Sequence, residues 1–129
     1  MTPVVLDTCV VLWLSDRQAA LSARARDLLA DPTVQLHASA ISAWEIAIKS
    51  RKGKLGLTSA PRIWWETFLH SFGVNEVAVT GPLAMGTVEE DLPHGDPADR
   101  IIVATARSLG ARLVTADSVL REALPFVIW

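Results

Sequence analysis

One cysteine stands in 129 residues. Cys9 has no partner for an internal disulfide, and a reducing cytoplasm is the compartment expected. No apolar run approaches the roughly 18 residues that a membrane helix needs, so no membrane association is expected. The first residues carry no basic segment ahead of a long apolar one, so no signal peptide is expected. Lys and Arg number 12 against 14 Asp and Glu, for a net charge of −2. That balance excludes binding nucleic acid by bulk positive charge; any such binding has to be local or ion-mediated. Linkers, internal repeats and low-complexity segments are missing too.

What is present is apolar. Half the residues are hydrophobic and mean hydropathy is positive, enough for the core of one domain over 1–129. Apolar runs at 3–6, 34–38, 74–79, 112–115 and 125–129 predict strands. The continuous apolarity of 3–6 suits a parallel strand covered on both faces. Pro125 opening the last run suits an edge strand. Helical patterns fill the intervals. One starts at 9–14, Ser22 caps another over 23–30, and Ser39 or Ser42 caps one running to Lys52. Pro61 opens a helix to Phe72, and 82–90 gives a short one. This alternation predicts an α/β chain, a three-layer α/β/α sandwich on a mostly parallel, about five-stranded sheet.

Acids interrupt this pattern at places that are costly for a carboxylate. Asp96 and Pro97 open a helix that Gly110 closes. Within it Asp99 shares a face with Ile102, Val103 and Ala106. A carboxylate on a buried face is unfavourable unless paired or metal-bound. The structural alternative is a first-turn acid favoured by the helix dipole and paired with Arg100 or Arg112. Glu45 repeats the anomaly between Ile41 and Ile48; its alternative is a capping box with Ser42. Asp7 and Asp117 each follow a predicted strand, where open α/β sheets gather functional residues. For Asp7 the alternative is a helix N-cap.

Sheet logic therefore lets Asp7, Glu45, Asp99 and Asp117 meet in one pocket. Four unpaired carboxylates at close range repel, and a divalent cation removes that conflict. Thiolates and clustered imidazoles are missing, His94 being a lone one, so the set selects Mg²⁺ or Mn²⁺ over Zn²⁺. Such an ion activates water and stabilises charge in an in-line displacement at phosphorus. The basic run 49–54 is a solvated helix end favoured by the macrodipole, or a hold on a phosphate backbone.

Asp7-Thr8 follows the first strand, and Ser42-Ala-Trp-Glu-Ile-Ala-Ile-Lys49 is followed by Gly53-Lys-Leu55. Then come His94-x-Asp-Pro-x-Asp-Arg-x-Ile-Val-Ala104 and Thr115-Ala-Asp117. Together these resemble PIN-domain proteins of the VapC toxin type, in order and over nearly the whole chain. The resemblance implies a metal-dependent endoribonuclease that cuts RNA phosphodiester bonds and inhibits translation. It also implies a small cognate VapB-type antitoxin whose C-terminal segment covers the active site. A homodimer is implied, as is contact with operator DNA only through the antitoxin.

By motif position the catalytic and metal-site acids are Asp7, Glu45, Asp99 and Asp117. The resemblance makes Asp7 and Asp99 direct ligands and Glu45 a ligand or the base on the attacking water. Asp117 binds through water or is dispensable. Thr8 and Ser42 orient the cluster by hydrogen bonding, and Asp96 is an N-cap or outer-sphere support. Lys49, Arg51, Lys52 and Arg100 are candidate RNA contacts, with an internal ion pair as the alternative for Arg100. Apolar helices near Trp13 and Trp64-Trp65 are the expected antitoxin interface.

The rival within the family is a catalytically degenerate PIN module that binds RNA or a protein partner without cleavage. The presence of all four acids argues against it. A phosphatase of the haloacid-dehalogenase type would carry a second acid two residues after Asp7, where Cys9 stands. A phosphate-accepting receiver domain would need adjacent acids before the first helix and a lysine after a late strand, and neither is evident.

Overall fold

Among the described residues, five strands form one parallel sheet in the order β3-β2-β1-β4-β5. They are β1 (Thr2–Leu6), β2 (Val34–Ser39), β3 (Val74–Val77), β4 (Arg112–Val114) and β5 (Val127–Ile128). The computed structural model describes residues 1–93 and 95–129. His94, which heads the 94–104 motif, lies outside the described residues. The helices are α1 (Thr8–Asp16), α2 (Ala23–Ala30), α3 (Ala40–Arg51), α4 (Pro61–Phe72), α5 (Gly81–Glu89), α6 (Pro97–Leu109) and α7 (Ser118–Ala123). The three-layer α/β/α architecture is as expected, and within the described residues the sheet is parallel throughout.

β1 runs through the middle and alternates its side chains between two cores. Val4 and Leu6 join Val10, Val11, Ala25, Ile46 and Phe68 on the face covered by α1, α2, α3 and α4. Val5 joins Ile102, Val103, Leu113 and Leu120 on the face covered by α6 and α7. Val4, Val5 and Leu6 are wholly buried. Burying each such side chain contributes on the order of 1.5–3 kcal/mol, and this explains why the run is continuously apolar.

Several elements differ from the sequence expectations. The 74–79 and 125–129 runs form shorter strands, and a 3₁₀ turn occupies Gln18–Ala20. Helix α7 was not expected at all. α3 is capped by Ser39, whose Oγ accepts from the Ile41 N–H at 3.2 Å. Ser42 lies inside that helix and is fully buried, so the capping box with Glu45 does not form.

The strand order locates the site. From β1 the chain adds β2 and β3 on one side, then returns to place β4 and β5 on the other. The crevice between the carboxyl ends of β1 and β4 is the point where this order reverses, the usual ligand position in open α/β sheets. Leu6 pairs with Val114 there. The next N–H, of Asp7, donates to the Val114 carbonyl at 3.0 Å.

Candidate active site

A cleft of about 360 Å³ opens at this crevice, and its walls include Asp7, Glu45, Asp96, Asp99 and Asp117. Asp7 is fixed by the sheet behind it and by its role as N-cap of α1. Its Oδ1 accepts from the Thr8 N–H at 2.8 Å and its Oδ2 from the Thr115 hydroxyl at 2.6 Å. Thr115 Oγ1 also accepts from the Asp117 N–H at 3.1 Å. One buried hydroxyl thus ties the ends of β1 and β4 together.

A second hydroxyl pair positions Glu45. Thr8 Oγ1 donates to Glu45 Oε1 at 2.6 Å and lies 2.8 Å from Ser42 Oγ. Thr8 has a single hydroxyl proton and gives it to Glu45, so Ser42 is the donor in the other bond. Thr8 and Ser42 are both buried. A Ser42–Thr8–Glu45 chain of hydrogen bonds thus runs across α1 and α3.

The remaining acids sit on helix starts. Asp96 caps α6 through the Ala98 N–H at 2.9 Å, and Asp99 lies in the first turn of that helix. Asp117 caps α7, its Oδ1 accepting from Val119 and Leu120 N–H at 2.9 and 3.1 Å. Helix N-termini hold carboxylates by dipole and by unpaired N–H groups. The fold uses that effect to hold acids round the cleft.

The electrostatics show that these groups feel one another. Burial pushes the Asp7 carboxyl above its ordinary range, and Asp117 adds repulsion. The bonds from Thr115 and Thr8 and the charge of Lys49 oppose that rise. Glu45 is likewise raised by burial, with Asp96 and Asp7 adding to it and Thr8 and Lys49 opposing. The Cys9 thiol at the rim is raised first by burial, then by Asp7, Glu45 and Asp99. Lys49, one turn after Glu45, is the lysine of the cleft wall.

The donors fit a hard divalent cation in kind, being carboxylate and hydroxyl oxygens. Six waters round such an ion need about 180 Å³ at roughly 30 Å³ each, and the cleft has room for them. As the side chains stand, no group of three or more acids, imidazoles or thiols among the described residues is set to grip an ion directly. The fit is thus to an ion that keeps its waters, as Mg²⁺ commonly does.

Other candidates fall outside the cleft. Arg51 and Lys52 are exposed at the end of α3. The Arg100 guanidinium donates to the carbonyls of Thr87, Glu90 and Leu92 at 3.3, 2.9 and 3.1 Å. It holds the connection between α5 and α6. Trp65 is core, with its indole N–H on Glu76 at 2.7 Å, whereas Trp13 borders the cleft. Thr115 was missed as a functional residue. Its signal was a hydroxyl directly after a buried strand and two residues before an acid, the spacing of a side-chain turn.

Fold and site define a parallel α/β/α protein with an acidic cleft at the reversal point of its sheet. The chain belongs to the PIN-domain family and to its VapC type, the PIN domain profile matching residues 4–123. Ribonuclease VapC22 of Mycobacterium tuberculosis is 34% identical over 135 aligned positions, which cover the whole of both chains. Among solved structures, a toxin–antitoxin complex from Klebsiella pneumoniae superposes with a TM-score of 0.64 at 22% identity, over 98% of this chain and 96% of that one. VapBC2 from Rickettsia felis, bound to a DNA fragment from its promoter, gives 0.67 at 15% identity with the same coverage.

Proposed function

We propose that this chain is a Mg²⁺- or Mn²⁺-dependent endoribonuclease, the toxin of a VapBC-type pair, which cuts RNA and so inhibits translation. The observation that carries this is the gathering of Asp7, Glu45, Asp96, Asp99 and Asp117 round one cleft from distant parts of the chain. The family membership and the named ribonuclease relative support it. The partner proposed is a small VapB-type antitoxin, with operator DNA met only through it. The chain would act as a homodimer in the cytoplasm.

Asp7, Asp99, Glu45 and Asp117 would hold the ion largely through its waters, since both oxygens of Asp7 and one each of Glu45 and Asp117 already accept hydrogen bonds. When bound, the ion supplies an activated water and neutralises charge on the scissile phosphate. The chain's own groups orient these donors. Thr115 fixes Asp7, the Ser42–Thr8 pair fixes Glu45, and the start of α6 holds Asp99. Glu45 would serve either as a holder of the ion or as the base that takes a proton from the attacking water, and its raised affinity for protons suits the second role.

The alternative is a catalytically degenerate PIN module that binds RNA or a protein partner without cleavage. A cleavage assay separates the two. With Mg²⁺ the wild-type chain is expected to cut RNA, EDTA to stop it, and Asp7→Asn and Asp99→Asn to abolish it while remaining folded. RNA binding without cleavage in either metal would establish the binding module instead.

A further inference from the structure

α5 is an apolar helix none of whose residues is fully buried, and a hollow of about 340 Å³ opens between it and α6. Packing alone therefore holds α5 weakly. Two arginines of α6 add the rest of the hold. Arg100 Nη1 donates to the carbonyls of Thr87 and Glu90 at 3.3 and 2.9 Å, and its Nη2 to that of Leu92 at 3.1 Å. Thr87 is in the last turn of α5, where carbonyls lack helical partners and a cation is favoured. Two turns further along α6, Arg107 Nε meets Glu90 Oε2 at 2.6 Å, and its guanidinium lies 4.8 Å from the centre of the Phe126 ring. Glu90 is thus gripped by its main chain at one arginine and by its side chain at the other.

The first of these grips reaches the acidic cleft. Arg100 directly follows Asp99 and lies one turn after Asp96, the cap of α6. Asp96 and Asp99 both line the cleft. They belong to the start of α6, and helix ends are the parts that fray first. The Arg100 N–H closes that turn on the Asp96 carbonyl at 3.2 Å, while its side chain ties the turn to α5. Leu92, buried in the core beneath α6 and α7, gives the connection a second fixed point. A working ion site holds its donors to within roughly 0.5 Å, so a frayed turn would release them. We infer, building on the ion-dependent ribonuclease proposal, that Arg100 is a positioning residue of the ion site. Its three bonds to the α5–α6 connection keep the start of α6, and with it Asp99, set at the cleft. The planar guanidinium reaches three carbonyls at once, which a lysine ammonium on its flexible stem does less well. Arg107 stands eight residues beyond Asp99, about 12 Å along the helix, and anchors α5 without bearing on that turn.

The test reads Mn²⁺ binding by titration calorimetry and hydrogen exchange at the Arg100 and Ile101 amides by NMR, both on the whole chain. Arg100→Met keeps the apolar stem and removes the donors. It is expected to weaken Mn²⁺ binding roughly tenfold to a hundredfold, and to speed exchange at those amides before any ion is added. In the RNA assay kcat at low Mn²⁺ should fall, KM for RNA should hold, and excess Mn²⁺ should recover most of the kcat. Arg100→Lys keeps a cation at the end of α5 and should recover part of each effect; if Arg100→Met does not fold, it carries the same readouts against the wild type. Arg107→Ala should lower Tm and leave Mn²⁺ binding as it was. Lowered Tm in the Arg100 variants with Mn²⁺ affinity and amide exchange unchanged would overturn the assignment and make Arg100 a prop of α5 alone. A raised KM at unchanged Mn²⁺ affinity would overturn it in favour of an RNA contact. A wild-type chain that binds Mn²⁺ and cuts no RNA would remove the ribonuclease proposal while the calorimetry still decides the role of Arg100. A wild-type chain that binds no Mn²⁺ would remove both.

Discussion

Asp7 is under opposing demands. Burial and the neighbouring Asp117 raise its proton affinity in the folded chain. Its stabilising contribution is therefore full below the ordinary carboxylate range and is lost as pH rises through the raised value. Wherever Asp7 is ionised, its charge counts against the metal-free fold. Asp7→Asn removes the charge and keeps a good N-cap. It should raise Tm by a few degrees, each kcal/mol being worth roughly 2–8 °C in chains of this size. Cleavage should meanwhile fall roughly a hundredfold or more. Calorimetry and an RNA assay on one preparation check both, and a lowered Tm would contradict the electrostatic account.

Thr8 acts through Glu45. Thr8→Val leaves Ser42 and Glu45 each without a buried partner, and metal affinity should drop tenfold to a hundredfold. Thr8→Ser should restore most of it; titration calorimetry with Mn²⁺ reads the difference. His37 on β2 shows the opposite titration. Burial lowers its proton affinity, and its Nε2 has no hydrogen-bond partner among the described residues. Its folded value lies below the unfolded one, so stability is unaffected above about pH 6.5 and declines as pH falls beneath it. Urea midpoints at pH 7.5 and 5.5 should show the loss, and His37→Leu should shrink it.

At the scale of elements, caps do much of the positioning, and caps are readable. Asp96, Pro97 and Gly110 announced α6, and the structure places the glycine left-handed at φ 59°. Ser22 and Pro61 did the same for α2 and α4. α7 escaped because six residues show no periodicity, and because Asp117, its cap, was assigned wholly to the site. That double duty is testable. Asp117→Ala should lose roughly 1 kcal/mol of stability with the cap, while Asp117→Asn keeps it. If cleavage falls equally in both variants, the charge is what the site needs; a loss confined to Ala would make Asp117 a structural cap only. Arg100 could not be placed from sequence, since its three acceptors are main-chain carbonyls in the last turn of α5 and the loop after it, and the residue types there do not encode which carbonyls lack partners.

At the scale of the whole molecule, an ion bound in the cleft would be coupled to stability. An ion held only by the folded chain stabilises it by about 2.7 kcal/mol at a hundred times its Kd. Protons compete for Asp7 and Glu45, whose affinities for them are raised. The Tm gained from Mg²⁺ or Mn²⁺ should thus be larger at pH 8 than at pH 5.5, and vanish with EDTA or in Asp7→Asn. A gain independent of pH and of Asp7 would place the ion elsewhere.

The chain's own pattern determined the α/β class, the strand runs and the out-of-place acids Glu45 and Asp99, because burial leaves a periodic trace along the backbone. Only the tertiary structure decided that Thr8 is bonded to Ser42 and Glu45, that Thr115 spans from Asp7 to Asp117, and that Arg100 faces inward. Those contacts join residues 34, 37 and 108 positions apart or side chain to loop backbone. They depend on strand order and helix placement, which fix distances that no local periodicity records.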